Sequence, residues 1–216
     1  MKGGNFMKQI MRILSIVLII TFIASLCTLF VPFTKVEAAT RGEIITQNIP
    51  EAGIYLIKNK ASGKYLNVNL GTDANGTNVI QWSYDGSIEQ KWRIVKNGSE
   101  YKFYAMCSSN GYNRVLDVLR TGGLASGSLV AGNNVDIWAP NDPEAQTFYI
   151  YPMYRAGQYV IELGNGGRHY HLVLTASDNN NGSGVGTLPT SQGNVYVSQL
   201  TDVVYDNQLW ILEKIG

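Results

Sequence analysis

The chain holds two histidines, His169 and His171, two residues apart. On an extended strand that spacing puts both imidazoles on one face, the geometry of a metal pair. No Cys, Asp or third His lies close to them in sequence, so the pair reads as polar strand surface, and no metal or cofactor is expected. The carboxylates are scattered, whereas a glycosidase needs two facing each other across a cleft. No Gly-x-Ser-x-Gly, His-Glu-x-x-His or Cys/His nucleophile pattern occurs either. The residues that could do bond-breaking chemistry are not assembled, and the chain does not read as an enzyme.

The formal net charge is +1, which offers no basic surface to nucleic acid or to an anionic membrane. The low charged fraction of 15% and the 23 glycines describe a turn-rich, hydrogen-bonding surface instead. At the N-terminus Lys2, Lys8 and Arg12 precede an apolar run over residues 13–33, followed by Val36-Glu37-Ala38. This pattern predicts a signal peptide over residues 1–38, cut after Ala38. The run is about 21 residues, long enough to span a bilayer, so a retained N-terminal membrane anchor is the alternative and the only membrane contact expected. Both readings put the rest outside the cytoplasm, in a protein whose leader and composition read as bacterial. Of the two cysteines, Cys27 lies in the leader. Cys107 is then alone and reads as a small buried residue beside Met106. The triplets at Asn75, Asn97 and Asn181 fit the glycosylation acceptor pattern but read as turns.

Residues 39–51 form a polar lead-in, with Pro50 just ahead of the first strand. Beyond it short apolar runs alternate with turn chemistry such as Asn75-Gly76 and Asp85-Gly86, and no amphipathic helix stands out. The strand-like runs of the first unit are Ile54 and Leu56, residues 65–68, 79–82 and 90–95. The second unit has 101–105, 114–118, 135–138 and 146–151. The third has 158–163, 172–175, 195–197 and 208–212, interrupted by an Asn/Gly/Ser-rich loop over 178–193. Each unit closes on Gln-x-aromatic: Gln90-Lys91-Trp92, Gln146-Thr147-Phe148 and Gln208-Leu209-Trp210. These recur roughly 55 to 60 residues apart, as one supersecondary unit copied three times. The repeats fall at about 52–98, 99–154 and 155–216. Three units of four strands predict an all-β fold, a six-stranded barrel capped by three hairpins. Closure would also protect the strand edges of an exported protein that has no disulfide.

From about Ala52 to Ile215 the chain resembles the ricin-type β-trefoil lectins, the Gln-x-Trp carbohydrate-binding modules. The motifs that carry the resemblance are Gly63-Lys64-Tyr65-Leu66-Asn67-Val68, Asn78-Val79-Ile80-Gln81-Trp82 and Gln90-Lys91-Trp92 in the first repeat. In the second they are Arg114-Val115-Leu116-Asp117-Val118, Asn134-Val135-Asp136-Ile137-Trp138 and Gln146-Thr147-Phe148. The third keeps Asn207-Gln208-Leu209-Trp210 and the rest only faintly.

The resemblance implies that Trp92, Phe148 and Trp210 are structural core. It also implies sugar pockets beside that core: a carboxylate or amide on the second strand, an aromatic platform ending the third, and an amide at the closing turn. Planar groups with fixed lone pairs select hydroxyls, and ring stacking supplies desolvation. Carried over, the second repeat offers Asp117, Asp136, Trp138 and Gln146, with Ala145 where an Asn often helps. The first offers Asn67, Trp82, Glu89 and Gln90, with Ile80 replacing a polar group. The third has Val173 at the acceptor position and Ser198 at the platform, so no ordinary site is expected there. The implied function is that of a secreted, non-catalytic lectin binding glycans or polysaccharide. The main alternative is a protein-binding subunit of a toxin or haemagglutinin-like assembly. A surface module held by an uncleaved anchor and an enzyme inhibitor on the same topology are weaker rivals.

Overall fold

The chain divides into two units, Met1–Ala38 and Ala39–Gly216. The computed structural model describes residues 49–123, 125–153, 157–177, 195–199 and 204–216, all in the second unit. The predicted leader and the loop expected over 178–193 lie outside the described residues. Twelve strands follow one another in three sets of four. The first set is β1 (Gly53–Asn59), β2 (Tyr65–Val68), β3 (Thr77–Trp82) and β4 (Lys91–Asn97). The second is β5 (Glu100–Ala105), β6 (Val115–Val118), β7 (Val135–Trp138) and β8 (Phe148–Pro152). The third is β9 (Gln158–Asn165), β10 (Arg168–Ala176), β11 (Val195–Gln199) and β12 (Trp210–Lys214). The one α-helical turn among the described residues, α1 (Pro143–Gln146), precedes β8.

The first and last strands of each set close a barrel. β1 pairs with β4, β4 with β5, β5 with β8, β8 with β9, β9 with β12, and β12 returns to β1, all antiparallel. The middle strands of each set pair as hairpins, β2 with β3, β6 with β7 and β10 with β11. This is the β-trefoil, and closure leaves the barrel strands no free edge.

Alternation explains the barrel wall. In β5, Tyr101, Phe103 and Ala105 point inward and are buried while Lys102 and Tyr104 are partly exposed, the period-two pattern of a half-buried strand. Inside, Trp92, Phe148 and Trp210 occupy corresponding positions and are all 0% exposed. The two indoles each donate to a second-strand carbonyl, Trp92 Nε1 to Leu66 O at 3.0 Å and Trp210 Nε1 to Leu174 O at 2.9 Å. Phe148 has no N–H to donate and packs edge-on against Phe103, ring centroids 5.5 Å apart.

The third repeat departs from the sequence reading in two places. The β9–β10 hairpin runs further than expected, pairing Asn165 with Arg168 across Gly166-Gly167. Both glycines have positive φ, +61° and +81°, which a tight two-residue hairpin turn demands and which a polar, glycine-rich stretch disguises as loop. The second departure is one of register. Leu174, the carbonyl partner of Trp210, corresponds to Leu66, so Thr175 and not Val173 stands where Asn67 and Asp117 stand. Side-chain period two makes such an offset easy to misplace, since both residues face the same way.

One turn carries measurable strain. After β6 the turn Thr121–Gly123 holds Gly122 at φ +75°, but the turn after β2, Asn69–Gly71, holds Leu70 at φ +56°. Leu70 is 86% exposed, so no packing offsets a left-handed conformation that costs an L-residue about 1–2 kcal/mol. Leu70→Gly is therefore expected to raise unfolding free energy by roughly 0.5–1 kcal/mol in urea titration, once glycine's larger unfolded-state entropy is subtracted. A fall in stability would show that the leucine has a packing partner.

Candidate functional site

The second repeat builds an open cleft of about 270 Å³, lined by Asp117, Leu119, Arg120, Gly123, Ala125, Trp138, Asn141, Asp142 and Ala145. β6 supplies Asp117 and β7 ends on Trp138, so two paired strands deliver an acceptor and a ring to one side of the hairpin. Trp138 is half-buried, and its ring lies against the turn of the preceding repeat. A Cβ built on Gly76, itself at φ +79°, would come within 3.5 Å of Trp138 Cζ3. Asn75 Oδ1 also accepts from Ala139 N at 2.8 Å, which pins the chain just past the ring. The platform is thus held from two repeats at once.

The closing wall is α1. Asp142 caps it, accepting from Glu144 N at 3.1 Å and Ala145 N at 3.3 Å, and Pro143 at the first position suits a turn whose N–H needs no partner. Arg120 ties that wall to the β6–β7 connection, donating to Asp142 Oδ2 at 2.8 Å, Glu144 Oε2 at 3.0 Å and Gly127 O at 3.1 Å. The Arg120 guanidinium holds the Asp142 carboxyl below the usual carboxylate range. Gln146 is 0% exposed and wholly occupied. Its Oε1 accepts from Asn141 N and Asp142 N at 3.0 and 3.1 Å, and its Nε2 donates to Ala139 O at 3.0 Å and to Asp117 Oδ1 at 2.8 Å.

Of the residues carried over for this repeat, Asp117, Trp138 and Ala145 line the cleft. Gln146 and Asp136 lie behind its wall. Asp136 is 2% exposed and directly opposite Asp117 across β6 and β7, so it presents almost no surface to the cleft. Asn141 does reach the cleft and escaped the sequence reading, which looked one residue before Gln146 instead of five. The correspondence shows only in the fold, where Asn141 N bonds Gln146 Oε1 just as Asp85 N bonds Gln90 Oε1 at 3.2 Å in the first repeat.

In the first repeat Asn67 is 5% exposed. Its Nδ2 donates to Val68 O at 2.8 Å, and its Oδ1 is buried without a hydrogen-bond partner. Trp82 is half-buried at the end of β3. Gln90 is 0% exposed and donates to Ser83 O at 2.8 Å, so it closes the turn and presents nothing outward. Glu89 leans toward the Asn69–Gly71 turn, its Oε2 3.5 Å from where a Cβ on Gly71 would sit. The residue that matches Asn141 here is Asp85, whose carboxyl is held below the usual range by hydrogen bonds from Ser87. In the third repeat the corrected acceptor Thr175 is 2% exposed and spends its hydroxyl on Val173 O and Ser198 Oγ, at 2.9 and 2.7 Å. Gln208 Nε2 also donates to Ser198 Oγ at 2.7 Å. Those polar groups satisfy one another.

The two histidines are exposed on the surface of β10, and each also reaches a buried carboxylate. Glu162, 3% exposed by its side chain, lies 3.2 Å from His169 Nδ1 and 3.6 Å from His171 Nδ1. It also accepts from His171 N at 2.9 Å, where β10 bulges and His171 takes φ +54°. Among the described residues no three His, Cys, Asp or Glu are placed to hold a metal ion.

The closed three-fold barrel is a β-trefoil, and its second repeat sets an acid, an aromatic ring and an amide around a cleft beside the Gln-x-aromatic turn. Residues 45–131 match the family described as "Ricin-type beta-trefoil lectin domain-like". No curated protein matches the chain. Among solved structures, the designed three-fold symmetric protein ThreeFoil is 28% identical, with a TM-score of 0.59 over 76% of this chain and 99% of that one. A mosquitocidal holotoxin is 19% identical with a TM-score of 0.58; 78% of this chain is covered but only 18% of the holotoxin. The ricin B-like lectin of Macrolepiota procera, solved in complex with lactose, is 16% identical with a TM-score of 0.53, covering 78% of this chain and all of its own. The last two likenesses concern the fold.

Proposed function

We propose that the protein is an exported, non-catalytic carbohydrate-binding lectin that captures glycans or polysaccharide through the second-repeat cleft, with the first repeat as a second, differently built site. The observation that carries the reading is the convergence of Asp117, Asn141 and the half-buried Trp138 on one cleft. A carboxylate and an amide can take vicinal hydroxyls while the indole covers the apolar side of a pyranose ring. A single open site of this size is weak, on the order of millimolar or about 4 kcal/mol, so useful retention depends on two sites or several copies engaging at once. Export rests on the charged and apolar pattern of residues 1–38 alone.

The test is a broad glycan array probed with protein beginning at Ala39, beside the Asp117→Ala variant. Selective retention that falls at least tenfold in the variant supports the reading. An array silent to the parent protein defeats it.

A second reading, the protein-binding subunit, draws on a different observation. Around the first repeat Leu70, Tyr84 and Ile88 are 86%, 59% and 52% exposed, an apolar rim where the second repeat carries Arg120, Asp142 and Glu144. Co-purification of a stable protein partner, with no glycan retained, would decide for it.

A further inference from the structure

We infer that Asp136 is a positioning residue: it holds a proton against Asp117, and its O–H keeps Asp117 ionised and able to receive a glycan hydroxyl. The inference deepens the glycan-binding reading of the second-repeat cleft and rests on it. Asp117 and Asp136 are direct cross-strand partners, 7% and 2% exposed. Side chains so placed are roughly 5 Å apart at Cβ, and like charges there repel. Asp117 Oδ1 takes the Gln146 amide at 2.8 Å, whereas Asp136 Oδ1 has no hydrogen-bond donor. An ionised Asp136 would be a buried charge with an orphaned oxygen facing a second charge. One proton on Asp136 removes the repulsion and turns that carboxyl into a donor.

The other groups packed around the pair come from α1, from the β6–β7 connection and from the neighbouring repeat. Gln146 from α1 serves Asp117, as does Arg120 at longer range, while the Asp142 charge at the α1 cap opposes Asp117 ionisation. From the neighbouring repeat, the residue in register with Asp136 is Asn78 of β3, whose Oδ1 accepts from Asn134. Burial outweighs these influences. It pushes Asp117 up to about 6 and, together with the Asp117 charge, Asp136 up to about 8. A carboxyl raised in the fold stabilises most below its unfolded value and loses that contribution as pH climbs to its folded value. For Asp136 the window runs from about 4 to about 8. The first repeat carries Asn67 and Ile80 at these two positions, so the pH response belongs to the second repeat alone.

The test uses the full chain and two variants, Asp136→Asn, which keeps a permanent donor, and Asp136→Val, which has none. Carboxyl NMR with ¹³C-aspartate should show Asp136 ionising near pH 8 in the parent and the upper step missing in Asp136→Asn. Melting temperature should fall between pH 5 and 9 in the parent, whereas in Asp136→Asn the fall should end once Asp117 has ionised and the value should hold from pH 7 to 9. Capture on an array of neutral hexosides, lactose among them, should drop about tenfold from pH 7 to pH 5 in the parent, with the same midpoint in Asp136→Asn. In Asp136→Val that midpoint should rise by about one pH unit, because Asp117 has lost its donor. An Asp136 that ionises in the ordinary carboxylate range, or an unmoved midpoint in Asp136→Val, overturns the inference and spares the glycan reading. Two-step titration with no hexoside captured at any pH overturns the glycan reading and leaves the proton on Asp136.

Discussion

Replacing Trp210 with alanine is expected to destabilise the protein by about 4 kcal/mol, the range for removing a fully buried tryptophan. The indole is 0% exposed and sits in the barrel core with Trp92 and Phe148, so the void has no flexible surface to collapse into. The loss also strands the Leu174 carbonyl, which now accepts from Trp210 Nε1 at 2.9 Å. An orphaned buried acceptor adds about 1–3 kcal/mol. Against the 5–15 kcal/mol that folded domains hold in total, this is a large share, and the melting temperature should drop by about 10 °C or more. Trp210→Phe separates the two contributions: the second repeat already uses Phe148 there, so most of the packing should survive. A loss below about 1 kcal/mol in Trp210→Ala, by thermal or urea unfolding, would mean that the third repeat does not share the barrel core.

Trp138→Ala should do the reverse, weakening glycan capture by tenfold or more while leaving the fold standing. The ring is half-buried and lines the cleft, so truncation removes a ligand platform and opens no core cavity. Tenfold corresponds to about 1.4 kcal/mol, which a stacked aromatic supplies through desolvated area. Trp82→Ala in the first repeat measures the second site in the same way, and the double variant shows how far retention depends on both sites together. Unchanged retention on the array in Trp138→Ala, with melting temperature also unchanged, would remove that ring from the binding site.

Leu70, Tyr84 and Ile88 expose apolar surface in the turns of the first repeat, whereas the turns of the second carry the ion-paired Arg120, Asp142 and Glu144. A trefoil can vary each set of turns independently because the core that supports them is shared and closed. The loops can then differ in chemistry while the barrel keeps its register.

The repeat was legible in the chain because its signals are local. Gln-x-aromatic lies within three residues, alternation within a strand such as β5 spans six, and Asn75-Gly76 announces its own turn. Those patterns report which way each side chain faces, and so predict the barrel and the hairpins, while the burial of Trp92, Phe148 and Trp210 was implied by the resemblance to the ricin-type lectins. What touches what across strands is not local. Whether Asp136 faces a ligand or Asp117, whether Thr175 or Val173 stands in the acceptor row, and whether Asn141 reaches the cleft all depend on register between segments far apart in sequence. A strand's period of two fixes a face but leaves the offset along the partner free, and only the assembled sheet settles it. The sequence by itself determined three copies of a closed β unit with an acid and an aromatic in the second. Tertiary structure alone decided which of those groups meet at one cleft and which lie beneath it.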